Sequence, residues 1–543
     1  MTVSISRRSI LQAASLLPAL SLLSWPALGA PTQAFTHGVA SGDPGRRGVM
    51  LWTRYVAASG GETSLRVEVA EDERFTRIVS RGTARAGPAT DYCAHARPDD
   101  LKPGRWYYYR FTASGGVTSP VGRTRTLPDG PLDRFRIGVV SCANATSGWF
   151  NAYAHAAARD DLDLIVHTGD YIYESPVDRS DALAALAAAR DVQPRGEAVT
   201  LADYRLRYAS YRADPALQEL HRRYPMIAIW DDHEVANNSW RGGARNHGPE
   251  EGPWTARVAA GMRAHREWLP MGRADYDRYR IGDLATLFRL ETRLLARTEQ
   301  LDIGVALRGA TDPARAAAAF RDGPLADPAR TMMGGAQERW LADGLEESTA
   351  AGMPWQILAQ QVIMAPTRLP SVTPAWFPPG TTLAPRDQAE LAAAVGLAKL
   401  GLPMGLDRWD GYPAARARLL AASDRARADL VVLSGDSHNA WAYDLEHEGK
   451  PVGVELAGHS VSSLGLEKRF GGDESVIARD FMRTNPGLKW CDTSRRGYMT
   501  VDITPDRVES EWLFLPAREE RSTTLLGRHR MTVPRRAKQL VAA

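Results

Sequence analysis

The sequence predicts an α/β domain preceded by a small all-β sandwich. Two observations carry this reading. Four short apolar runs end abruptly in polar clusters, with alanine-rich helical stretches between them. That grammar indicates an α/β sheet buried on both faces. Ahead of them, residues 35–127 alternate and turn like an all-β module. The chain has 543 residues, 44% hydrophobic and 24% charged. These proportions exclude a disordered tail protein, a disulfide-stapled miniprotein and a polytopic membrane protein. The length requires two domains or one large elaborated domain. With 67 basic and 64 acidic residues the formal charge is +3. Such a balance argues against a dedicated nucleic-acid binder, so no stable nucleic-acid complex is expected.

Residues 1–30 read as a twin-arginine signal peptide. Ser6-Arg7-Arg8-Ser9-Ile10-Leu11 precedes an apolar run from Leu16 to Leu28, and small residues follow at Ala27 to Ala30. Pro18 and Pro26 interrupt the run, which is short for a membrane span, so no transmembrane anchor is expected. Cleavage is expected between Gly29 and Gln33. The implied partner is the twin-arginine translocation machinery, and the implied location is the periplasm or the outside. Loss of Arg7 and Arg8 lowers the charge from +3 to +1.

In the first module, Gly48 to Thr53, Ser64 to Ala70 and Arg105 to Thr112 are strand candidates. Turn clusters lie at Ser41-Gly42-Asp43-Pro44, Arg97-Pro98-Asp99-Asp100 and Ser114-Gly115-Gly116. Lys102-Pro103-Gly104 before an aromatic strand looks like the late hairpin of a fibronectin-like sandwich. His37 and His95 stand alone, and a supporting role is expected of the module. Leu127 to Pro131 reads as a linker.

Residues 133–520 form the expected catalytic domain. Phe135 to Val140 runs into Ser141-Cys142-Ala143-Asn144, and Leu162 to Thr168 into Gly169-Asp170-Tyr171-Ile172-Tyr173-Glu174. Met226 to Trp230 runs into Asp231-Asp232-His233-Glu234, and Asp429 to Leu433 into Ser434-Gly435-Asp436-Ser437-His438. Helical stretches are expected at Trp149 to Arg159 and Ala182 to Arg190. In such sheets ligands bind beyond the carboxyl ends of the strands. Strand ends delivering Cys, Asp, His and Tyr make a metal-site pattern. Asp170 has two oxygens and would bridge two metals about 3.5–4 Å apart. Cys142 and Tyr173 would supply a thiolate and a phenolate, which favour a highly charged ion such as ferric iron. Asp170, Asp436 and an Asn or Asp near 232–238 suit calcium or magnesium. His233, beside Asp232, would donate to a phosphoryl oxygen or leaving group. Each residue alone has a plainer reading. Cys142 would be an inert buried thiol, Tyr173 a packing residue, Asp231-Asp232 a helix cap. Their joint occurrence reverses those odds.

These motifs resemble the alkaline phosphatase D (PhoD-like) family of calcineurin-like metallophosphoesterases. The runs Tyr204 to Pro215, Val454 to Ser463 and His37 to Pro44 add to the resemblance, which covers nearly the whole chain after residue 30. The resemblance implies a metallophosphoesterase αββα sandwich behind the β-sandwich domain. It implies an exported phosphatase or phosphodiesterase that hydrolyses a small phosphate ester by a metal-activated water or oxide. It places Fe3+ on Cys142, Asp170, Tyr173 and His438, and Ca2+ on Asp170 and Asp436. A further ligand, Asn237, Asn238 or Asp232, stays open. His233 matches the position that stabilises the transition state, with Asp232 beside it. His459 departs from the family pattern, where a smaller Thr is more usual, as an extra substrate contact or a spectator. Arg205 or Arg212 would neutralise phosphoryl charge. Trp240, Trp254 and His247 would line the entrance or pack in the core. Asp275 to Asp327 and Pro370 to Arg386 would shape a lid or entrance. Alternatives are a phospholipase-D-like enzyme acting on lipid or teichoic acid head groups and an inactive cell-envelope binding protein. Residues 521–543 read as a basic, solvated tail. Cys93 and Cys491 would either pair or remain buried thiols.

Overall fold

The computed structural model describes residues 34–177, 186, 189–517 and 520–542. The expected signal peptide at 1–30 and most of the expected helical stretch Ala182 to Arg190 lie outside the described residues. Seven strands open the chain: β1 (Phe35–Gly42), β2 (Met50–Tyr55), β3 (Thr63–Ala70), β4 (Ile78–Ala86), β5 (Cys93–Ala96), β6 (Trp106–Thr112) and β7 (Gly122–Arg125). β4-β3-β6-β7 form one sheet of the sandwich. Leu65, Val67, Val69, Tyr109 and Phe111 face Val39, Leu51 and Ala94 across an apolar core. The alternation seen in the sequence is this inward–outward period of two.

The remaining strands are β8 (Phe135–Val140), β9 (Leu164–His167), β10 (Pro225–Ala228), β11 (Asp277–Ile281), β12 (Ala285–Arg289), β13 (Trp355–Ala359) and β14 (Leu430–Ser434). They continue as β15 (Ala440–His447), β16 (Lys450–Ala457), β17 (Leu488–Asp492), β18 (Arg496–Ile503), β19 (Arg507–Leu515), β20 (Gly527–Pro534) and β21 (Val541–Ala542). One sheet runs β21-β20-β19-β18-β8-β9-β10-β1-β2-β5, the other β11-β12-β13-β14-β16-β15-β17. The central pairs β8–β9, β9–β10, β12–β13 and β13–β14 are parallel. Ile137, Ile165 and Ile227 of one sheet share a core with Ile357, Val431 and Leu456 of the other. Burial of each such side chain contributes about 1.5–3 kcal/mol.

Helices α1 (Asn151–Ala158), α2 (Leu201–Arg212), α3 (Pro215–Arg223), α4 (Trp254–Trp268), α5 (Ile303–Leu307) and α6 (Pro313–Asp322) lie between strands, as do α7 (Gly334–Ala350), α8 (Pro385–Lys399), α9 (Pro413–Ala426) and α10 (Glu474–Thr484). Helix α2 starts on a capping box, Thr200 and Asp203 each bonding the other's backbone N–H. No helix among the described residues is long and apolar enough to cross a membrane.

Several expectations change. The β-sandwich is not a free-standing appendage, because β1 pairs in parallel with β10 and carries β2 and β5 into the ten-stranded sheet. The expected tail is not a loose end: its arginines at 528, 530, 535 and 536 are exposed, but β20 pairs with β19 and buries Met531 and Val533. Asp275 to Asp327 is no simple lid, since it contains β11 and β12 at the edge of the second sheet. Cys93 and Cys491 are free, buried thiols.

Candidate metal centre

The four polar clusters follow β8, β9, β10 and β14. Two glycines let these strand ends touch. A Cβ on Gly435 would lie 2.7 Å from Thr168 Oγ1 and 3.0 Å from Ser141 Cβ, so the two sheets meet there. Gly169, at φ 112°, would place a Cβ 2.4 Å from that of Asp231. Just beyond, Cys142, Asp170, Asp436 and His438 all adopt left-handed backbone, at φ 55°, 56°, 58° and 62°. Non-glycine residues rarely do so, and each costs on the order of 1 kcal/mol or more. The surrounding hydrogen bonds hold this geometry. Cys142 N–H donates to the Gly169 carbonyl at 3.1 Å, and Glu234 accepts the N–H groups of Asp170 (3.3 Å) and Tyr171 (2.6 Å).

Cys142, Asp170 and His438 bring ligand atoms within 4.8 Å of one another, as do Asp170, Asp232 and His233, and Asp231, Asp232 and Asp436. Tyr173 joins the first group. Its hydroxyl donates to Asp170 Oδ2 at 2.8 Å, accepts from Ser463 Oγ at 2.7 Å and lies 3.1 Å from His438 Nε2. His438 Nδ1 is 2.7 Å from the Leu464 carbonyl. That bond fixes the ring with Nδ1–H donating, so the Nε2 lone pair faces the cluster. Asp170 Oδ1 and Asp231 Oδ2 are buried with no hydrogen-bond partner. A buried carboxylate oxygen left so is costly. A cation satisfies it, and thiol, phenol, carboxylate and imidazole are a metal-ligand set.

Electrostatics agree. Burial, then Asp170, pushes the Cys142 thiol and the Tyr173 phenol well above their ordinary pKa values. Burial raises Asp436 to about 6, with Arg293 opposing. Burial opposes protonation of His233, but Glu174, Asp232 and Asp170 outweigh it and hold the ring well above its ordinary value. His233 Nδ1 lies 2.6 Å from Glu174 Oε2, and the His233 ring lies 4.1 Å from that of Tyr173.

The Asn237 side-chain amide donates to Asn246 Oδ1 at 3.3 Å, and its backbone N–H donates to Glu174 at 2.8 Å. Asn238 N–H donates to Asp232 Oδ2 at 2.6 Å. Arg205 and Arg212 are not at the centre: Arg205 pairs with Glu267 at 2.7 Å, and Arg212 is buried against Trp52. The arginine at the centre is Arg293, fully buried, 2.5 Å from Asp231, 2.7 Å from Asp407 and 3.2 Å from Asp436. Sequence reasoning missed it, because no motif surrounds it. Glu174 and Glu234 stood inside quoted motifs without an assigned role. His459 is buried with Nε2 3.1 Å from the Leu513 carbonyl, a packing position rather than a substrate contact. Trp254 donates to the Arg241 carbonyl at 3.2 Å and its ring lies 5.1 Å from His247.

Back-to-back mixed sheets with metal-ligand-type side chains at the carboxyl ends of parallel strands define a metallophosphoesterase fold. A family model for PhoD-like phosphatases matches residues 137–512, and one for the N-terminal domain of these phosphatases matches residues 24–128. The chain is similar to alkaline phosphatase D of Bacillus subtilis (strain 168), 32% identical over 510 residues, which cover 89% of this chain and 78% of that protein. It is also similar to a solved structure of PhoD, with TM-score 0.74, 29% identity and coverage of 94% of this chain and 92% of that one. The chain belongs to the PhoD-like phosphatase family and is a phosphoric ester hydrolase.

Proposed function

We propose that the protein is an exported, metal-dependent phosphatase or phosphodiesterase with ferric iron on Cys142, Asp170, Tyr173 and His438. Calcium would share Asp170 and take Asp436, with Asp232 or Asn237 completing the set. The observation that supports this best is the convergence of Tyr173 and His438 on one oxygen of Asp170 while the other, Oδ1, is buried without a hydrogen-bond partner. Without a highly charged cation, the thiol of Cys142 and phenol of Tyr173 keep their protons. The ions would polarise the phosphoryl group and lower the pKa of the attacking water.

The chain's own residues do the rest. Water attacks phosphorus in line with the departing oxygen, and no covalent enzyme intermediate is needed. His233, charged and held by Glu174, donates Nε2–H to a phosphoryl oxygen or to the leaving group. Arg293 offsets the carboxylates of Asp231, Asp407 and Asp436, which lessens repulsion of an anionic ester. Export by the twin-arginine route rests on Arg7-Arg8 ahead of the apolar run. N-terminal sequencing of exported protein tests it, and retention of Met1 would reject cleavage.

One observation favours a phospholipase-like reading. A cleft of about 520 Å3 flanks the His438 loop, with Phe377, Leu391 and Phe470 beside Lys468 and Arg469. Such a surface suits an ester with an apolar arm and a negative charge. A pH–rate profile over monoester, diester and phospholipid, with added calcium and with chelator, decides between the readings. Chelator-resistant hydrolysis of every substrate would overturn both.

A further inference from the structure

Helix α4 leaves one face open. Thr255, Val258, Ala259, Met262, Arg263 and Arg266 recur at helical spacing along a cleft of about 980 Å3. Its floor is a small apolar cluster separate from the main cores, built on Trp230, Trp254 and Met262 with Val258 and Leu294 against it. Leu295, 41% exposed, extends this surface to the rim. The size is that of a small-molecule site.

Its charge is one-sided. Arg241, Arg263, Arg266 and Arg273 line the cleft against two carboxylates, Glu267 and Asp275. Both carboxylates are engaged: Arg263 reaches Glu267 at 2.9 Å, as does Arg205 at 2.7 Å, and Arg266 reaches Asp275 at 2.9 Å. Among the described residues, Arg241 and Arg273 have no carboxylate within salt-bridge reach. An apolar trough with two uncompensated guanidinium groups complements an anion carrying a hydrocarbon chain.

We propose that this cleft binds a single-chain anionic amphiphile, with its hydrocarbon along α4 and Leu294 and its head group at one of the two free guanidinium groups, Arg241 beside Trp254 or Arg273 beyond the end of α4. It is distinct from the metal centre, since Cys142, Asp170, Tyr173, Asp436 and His438 do not line it. It adjoins that centre through the chain, because Trp230 precedes Asp231 and Leu294 follows Arg293.

The test is direct binding by titration calorimetry on the full protein, independent of turnover. Decanoate and decylphosphonate should each bind saturably at one site, at least tenfold tighter than decyltrimethylammonium. Shortening the chain by two carbons should weaken binding roughly 10–15-fold. The preferred head group distinguishes a fatty acid from a lipid phosphate. Arg241→Glu with Arg273→Glu should lose the anion preference. Ala259→Trp and, separately, Thr255→Trp, both at exposed positions on the open face, should fill the trough and abolish binding while melting stays unchanged. No saturable binding, equal binding of cation and anion, or wild-type binding in both tryptophan variants would overturn the proposal.

Discussion

Glu174 Oε2 lies 2.6 Å from Nδ1 of His233, and Glu174 is wholly buried. Its other oxygen accepts the Asn237 N–H at 2.8 Å, so the carboxylate is fixed from two sides. A fixed carboxylate behind an imidazole sets which ring nitrogen faces the substrate and stabilises the charged ring.

Replacing Glu174 by Gln keeps the shape and removes the charge. We expect kcat to fall roughly 10–100-fold with little change in KM or in melting temperature. Steady-state kinetics on a monoester checks this. Unchanged kcat would remove Glu174 from the mechanism.

Arg293 is the counter-charge to buried Asp231 and to Asp436. Arg293→Met leaves these carboxylates uncompensated and should cost about 3–5 kcal/mol of stability. Added calcium should restore part of the loss in the variant more than in the parent. Melting curves with and without the ion measure both effects, and equal stability of variant and parent would contradict the assignment.

His167, His265 and His459 are buried, and burial lowers each to about 3 from 6.5. Their folded values lie below their unfolded ones. The contribution is therefore whole above pH 6.5 and is lost as pH falls toward 3. Across that window the rings together remove at most about 4 kcal/mol per pH unit. Denaturant midpoints from pH 7 to pH 5 should fall with proton uptake on unfolding, and a flat profile would refute neutral burial.

Much of the site was legible because ligand-type residues sit directly after apolar strands, as with Cys142 after β8 and Asp436 after β14. Adjacency in sequence there becomes adjacency in space, since parallel strands share a carboxyl edge. Arg293 was not legible: it follows β12 and reaches Asp407 and Asp436 through tertiary packing alone. The pairing of β1 with β10 was hidden for the same reason. In β20 the arginines at 528 and 530 masked a strand whose apolar side is only Met531 and Val533. Local charge marked the exposed arginines correctly but gave no sign of the ladder with β19.

Tyr173, with Cys142, Asp170 and His438, is proposed to hold ferric iron. The most direct measurement is the visible absorption spectrum of exported protein and its Tyr173→Phe variant, each with metal content determined in parallel. Phenolate and thiolate bound to ferric iron should give a visible band, and loss of the phenolate should weaken or shift it. A colourless protein without iron, or an identical band in the variant, would contradict the account.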